Sequence, residues 1–90
     1  MRIEWDPQKA HSNLRKHKVS FEEAATALHD PMSVTGADPD HSVGESHYIT
    51  FGLSDKSRLL VASHTDEGDT IRIISARIAS KGERKIYEEG

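Results

Sequence analysis

Apolar and polar residues recur with two different periods in this 90-residue chain, and the change of period separates a helical first part from a strand-rich second part. Arg2-Ile3-Glu4-Trp5 alternates over four residues, which predicts a short first strand. Asp6-Pro7 reads as an N-cap with proline at the first helical position, so a helix is expected to run to about His17. Ala10, Leu14 and His17 share one face of it, with Lys9, Asn13 and Lys16 beside them. Ser20-Phe21-Glu22-Glu23 has the form of a capping box, with Val19 as its hydrophobic staple. Phe21, Ala24, Ala25 and Leu28 then give the i, i+3, i+4, i+7 stripe of a second helix, which Asp30-Pro31 ends.

Residues 36–44 are polar and rich in Gly, Pro and Asp, and read as a loop. Three runs rich in Val, Ile, Thr, Tyr and Phe follow at about 46–53, 58–64 and 70–76. Turn compositions at 54–57 and 66–69 separate them, and connections this short favour antiparallel hairpins. Ser80 is placed to cap a last helix over 81–89. The predicted architecture is α+β: a short N-terminal strand, two helices, an antiparallel sheet of three to four strands and a C-terminal helix, with the helices on one sheet face.

Ninety residues make a single domain, 1–90, with a small core. The absence of cysteine excludes disulfides and thiolate metal sites. No apolar run approaches the length of a membrane span and no signal-peptide pattern is present, so a cytoplasmic protein is expected. The net charge of −3 runs against nucleic-acid binding, which draws affinity from phosphate contacts. Residues 1–45 carry five Lys/Arg against eight Asp/Glu, and residues 46–90 seven of each. An RNA site would therefore have to be a local cationic cluster.

Several segments together carry a resemblance. Trp5-Asp6, Lys9, Asn13, Lys16-His17 and Val19-Ser20-Phe21-Glu22-Glu23-Ala24 resemble the first half of BrnT-family toxins. Asp38-Pro39-Asp40-His41, Gly44-Glu45, Leu59-Leu60-Val61, Ile71-Arg72-Ile73-Ile74-Ser75-Ala76-Arg77, Glu83-Arg84 and Tyr87 resemble the second. The resemblance implies a RelE-like fold and a ribonuclease that arrests growth. It also implies a BrnA-like antitoxin partner that neutralises the toxin in a hetero-oligomer and binds operator DNA itself. One position departs from the family pattern: His47 stands where an Arg is common, two residues after Glu45.

Cleavage of RNA by side chains alone needs a group to take the 2′-hydroxyl proton, another to protonate the leaving 5′-oxygen, and cations on the phosphoryl oxygens. Arg72 is the first candidate for phosphate and Arg77 the second, since the guanidinium fork matches phosphate. Their odd spacing puts them on opposite faces of a regular strand, so both reach one site only if the strand bends or ends. A lone strand Arg is also commonly a solvated residue or half of an ion pair. Glu45 and His47, two apart, share a face and suit an acid/base pair. Lys16, His17, Lys9 and Trp5 are candidates for RNA contact, although cations at a helix C-terminus also serve the macrodipole and a lone Trp is commonly core.

Three functions follow. The first is an endoribonuclease toxin that uses no metal or cofactor. The second is a degenerate toxin-like module, disabled at His47, that binds its antitoxin and co-regulates the operon. The third is a metal-dependent hydrolase with His41, Glu45, His47 and His64 as ligands, for which no ligand signature is present.

Overall fold

The computed structural model describes residues 1–38 and 47–90. The elements are β1 (Arg2–Trp5), α1 (Pro7–His17), α2 (Phe21–Leu28), β2 (Val34–Ala37), β3 (His47–Leu53), β4 (Leu59–Glu67), β5 (Thr70–Ile78) and α3 (Lys81–Glu89). The strands form one sheet in the order β1-β5-β4-β3-β2. β2 to β5 pair antiparallel, while β1 adds to the far edge of β5 in parallel. The sheet is thus mixed and five-stranded rather than antiparallel with three to four strands. Two strand assignments account for the difference. β1 returns through the whole molecule to pair with the last strand, a contact no local pattern announces. β2 takes in Gly36 and Ala37, which read as loop because a four-residue edge strand has too few positions to show a period.

The local signals for the helices act as expected at most ends. The Asp6 carboxylate accepts from the Gln8 amide at 2.8 Å, with Pro7 inside the first turn. Lys18 closes α1 in the left-handed conformation (φ 61°), its amide donating to the Leu14 carbonyl. The Ser20 hydroxyl accepts from the Glu23 amide at 3.0 Å. Only that half of the expected capping box forms, because the Glu23 carboxylate turns inward instead. It receives the Arg58 guanidinium through Nε at 2.9 Å and through Nη2, and the Ser54 hydroxyl at 2.7 Å. A complete capping box forms at α3, between Ser80 and Glu83.

The core is Val19, Phe21, Ala24, Ala27, Leu60, Ile73 and Ala76, with Ile3, Trp5, Ala10, Ala25 and Leu28 packed around it. α2 lies so close on β3 that a Cβ at Gly52 would stand 2.2 Å from the Ala27 carbonyl oxygen. α1 presents Asn13 inward (6% exposed) beside Ala10 and leaves Leu14 half exposed (47%), so of the apolar face read from the sequence Ala10 packs on the core and Leu14 does not. Past the end of β1 the edge of β5 is open, and Asn13 closes it. Its side chain donates to the Ala76 and Val19 carbonyls at 2.8 and 2.9 Å and accepts from the Ala76 amide at 3.0 Å.

The helices occupy both faces of the sheet, not one. Arg77 leaves β5 on the side opposite the buried Ala76 and pairs with Glu83 of α3, whose C-terminal Gly90 abuts the Val34 side chain. The physical reason lies in β4, where Leu59, Leu60, Val61 and Ala62 are all buried. A continuous apolar run of this kind needs cover on both sides.

Candidate active site

β5 carries one residue more than β4 opposes. Ser63 pairs with Ser75 and His64 with Ile73, leaving Ile74 as a bulge. The extra residue resets the alternation, so that Ile73 and Ala76, three apart, both enter the core. By the same displacement Arg72 and Arg77 reach the same outer face, although their spacing is odd. The strand bends between them, as a shared face requires.

Sharing a face does not bring the two arginines to one place. Arg72 opposes Thr65 and Arg77 opposes Val61, four β4 residues away, or about 13 Å along the strand. Their partners differ as well. Arg77 donates to both Glu83 oxygens at 2.7 and 2.8 Å, and Glu83 also accepts from the Ser80 amide at 2.8 Å. The Arg77 guanidinium and the Ser80 contacts hold the Glu83 carboxyl down at about 2. Among the described residues Arg72 makes one looser contact, 3.3 Å to Glu4, with both side chains more than 40% exposed. An exposed pair of this kind is worth about 0–1 kcal/mol, so a phosphate can displace it. Arg77 is committed to α3, whereas Arg72 is available.

Around Arg72 the register assembles a row across four strands. His47 pairs with Thr65, Thr65 with Arg72, and Arg72 with Glu4. These four, with Lys9 of α1, Glu67, Thr70 and Ile74, line a cleft of about 370 Å³. His47 and Arg72 stand on alternate strands, about 10 Å apart at the backbone, with the short Thr65 between them. That leaves room for one phosphate. Three groups that bear or can take positive charge, Arg72, Lys9 and His47, thus meet two carboxylates in one concavity.

The remaining sequence candidates fall in separate places. Glu45 and His41 lie outside the described residues. Trp5 is half buried on the core face, its ring edge-on to Phe21 at 6.1 Å. Lys16 and His17 line a second hollow along α1 that shares Lys9 and Ile74 with the cleft. His64 points to the opposite side of the sheet from His47. It is buried, with Nε2 on the Thr50 hydroxyl at 2.7 Å and Nδ1 on the Thr65 carbonyl at 3.1 Å. Desolvation lowers its pKa, so it is held neutral. The two histidines therefore do not converge as ligands of one metal. Among the described residues no three His, Asp or Glu side chains are grouped to hold one.

Sequence reading did not single out Glu4, Glu67 or Thr65. Their membership of the site depends on strand register, above all on β1 lying beside β5. Only the alternation in Arg2–Trp5 hinted that Glu4 would face the same way as Arg2.

Comparison with known proteins gives two findings. The family model described as the ribonuclease toxin BrnT of type II toxin–antitoxin systems matches residues 5–83. The crystal structure of the ribonuclease toxin BrnT of Brucella abortus is similar in fold, with a TM-score of 0.64 at 21% identity, over 90% of this chain and 99% of that one. No curated protein matches this chain significantly.

Proposed function

Because the chain belongs to the BrnT family of ribonuclease toxins of type II toxin–antitoxin systems, we propose that it is an endoribonuclease whose active site is the cleft around Arg72. The observation that carries this reading is the in-register row His47–Thr65–Arg72–Glu4 beneath Lys9. In the proposed reaction Arg72 and Lys9 hold the non-bridging oxygens of one phosphate, where negative charge grows in the transition state. His47 and Glu45 act as the acid/base pair. One takes the 2′-hydroxyl proton as the 2′-oxygen attacks phosphorus, and the other protonates the departing 5′-oxygen. The products are a 2′,3′-cyclic phosphate and a 5′-hydroxyl. Glu4 orients Arg72 until substrate arrives. This reaction needs no metal and no cofactor. Arg77, candidate at the sequence level, takes the role of fastening α3.

The biological setting proposed with it is a RelE-like toxin acting in the cytoplasm, held inactive by a BrnA-like antitoxin that alone contacts operator DNA. Among the described residues no helix is long and apolar enough to cross a membrane.

Arg72→Ala is expected to lower kcat at least about 100-fold, the cost of removing one charge-stabilising donor. Its exposed side chain can be deleted without disturbing the core. Full activity in this variant, with a wild-type circular dichroism spectrum, would sink the assignment.

His47 supports a second reading, that of a degenerate binding module, since the family pattern favours Arg there. The His47→Arg variant separates the two. Cleavage found only in that variant makes the natural chain an antitoxin-binding partner, and cleavage by the natural chain makes His47 a working replacement.

A further inference from the structure

The hollows on this face form one track. The cleft shares Lys9 and Ile74 with a groove of about 500 Å³ along α1, and that groove shares Ser12 and Lys16 with a third hollow of about 330 Å³ that reaches Arg15. Adjoining hollows therefore lie in sequence from Arg72 to Arg15. Lys9 and Lys16, seven residues apart on α1, are separated by about 10.5 Å along the helix axis.

The charge on this path is mixed with a positive excess: Arg72, Lys9, Lys16 and Arg15 line it against Glu4 and Glu67 in the cleft and Asp6 at the start of the groove. α1 carries Lys9, Arg15 and Lys16, with Lys18 immediately after, and no Asp or Glu within Pro7–His17. The chain as a whole bears a net −3. Cations gathered along one helix of an acidic protein mark a surface for a polyanion, and local potential governs approach more than net charge does. Lys9, Arg15 and Lys16 are all exposed.

The groove floor differs from its rim. Ile74, the bulged residue, lies half buried beneath α1, while Gln8 and Ser12 supply hydrogen-bonding groups above it. An apolar side chain set between polar ones suits the flat face and polar edge of a nucleobase. Only an unstacked base can present its face, and sequence-selective recognition of RNA concerns such unpaired bases.

We propose that the α1 groove binds the nucleotide next to the cleaved phosphate, its base on Ile74 and its backbone continuing over Lys16 and Arg15, so that the substrate is unpaired, single-stranded RNA. This rests on the cleft around Arg72 being the place of cleavage, and it adds the direction of the strand and the substrate class. His17, at the far end of the groove, then borders the bound strand rather than the reacting phosphate.

The test uses a short fluorescein-labelled single-stranded RNA carrying 2′-O-methyl groups, which binds but cannot be cut. Its anisotropy is measured against salt concentration for the wild type and for Arg15→Gln/Lys16→Gln, whose altered side chains are exposed. The variant is expected to bind at least tenfold more weakly. The slope of log K against log salt is expected to fall by about 0.7 for each phosphate that the variant no longer neutralises. With cleavable RNA the loss is expected in KM more than in kcat, and duplex RNA is expected to compete poorly.

Unchanged affinity and slope in the variant, or duplex competing as well as single strand, would overturn the proposal, as would a wild-type chain that binds no RNA. Salt-dependent binding through α1 without cleavage of natural RNA would instead leave the groove standing and remove the cleavage reading. Unchanged RNA binding with weakened capture of an acidic peptide would assign the groove to a protein partner, against the proposal.

Discussion

Asn13 illustrates how much one polar side chain can hold in a small domain. It satisfies three backbone groups, at Val19 and Ala76, where neither strand nor helix supplies a partner. Asn13→Ala leaves them unpaired and buried, at about 1–3 kcal/mol for each uncompensated group. A total loss of about 3 kcal/mol is expected in urea unfolding, and a loss under about 1 kcal/mol would show that water replaces the amide. Glu23 and Arg58 make the second such centre. Glu23 is buried, and the Arg58 guanidinium, which also donates to the Lys18 carbonyl at 3.1 Å, holds its pKa below the ordinary 4.5. Glu23→Ala is expected to cost about 2–3 kcal/mol, less than for a fully enclosed pair because Arg58 is one-third exposed. In a domain this size that lowers Tm by on the order of 10–20 °C. Glu23 is a depressed carboxylate, so its contribution is present above pH 4.5 and is lost as pH falls through the lower, folded value. Between the two strand arginines the partners differ: a bidentate pair with Glu83 holds Arg77, and a looser contact with Glu4 holds Arg72.

At the scale of elements, what the sequence made legible is what local chemistry controls. Asp6-Pro7, Ser20 and Ser80 start the three helices where expected. Gly68, at φ 63°, sits first in a two-residue turn between Glu67 and Thr70, the position a hairpin of this kind reserves for glycine. Elements and features that depend on distant pairing were not legible: β1 beside β5, the edge strand β2, the bulge at Ile74 and the face chosen by α3. Arg72 and His47 could be nominated from the sequence, but their adjacency through Thr65 is a matter of register. Glu4 and Glu67 joined the site only through it.

The attachment of α3 can be tested directly. No residue of α3 is buried, and polar contacts anchor it, Arg77 to Glu83 and the Tyr87 hydroxyl to Asp30 at 2.6 Å. Tyr87→Phe is expected to cost about 1 kcal/mol and to raise amide exchange in α3 while leaving β4 and β5 protected. Exchange rising uniformly would mean that α3 opens only with the whole domain.

Taken whole, the molecule is a thin core clad on both sides, with Lys9, Arg15 and Lys16 along α1 adjoining Arg72 of the cleft. Its stability carries a pH signature from His64, whose buried ring has a pKa below the ordinary 6.5. The unfolded chain binds that proton more readily than the folded one, so stability is full above about pH 6.5 and falls as pH drops below it. The slope is at most about 1.4 kcal/mol per pH unit for one proton. His64→Gln is expected to flatten the dependence of the urea midpoint on pH between about 7.5 and 5.5, and an unchanged slope would place the titrating group elsewhere.

The central claim, that this face cuts RNA with side chains alone, is tested most directly by incubating the purified chain with synthetic single-stranded RNA in excess chelator and determining the product ends. Fragments ending in 2′,3′-cyclic phosphate and beginning with 5′-hydroxyl, absent with Arg72→Ala, are the predicted result. No cleavage by the folded chain, or cleavage that requires added metal, would contradict it.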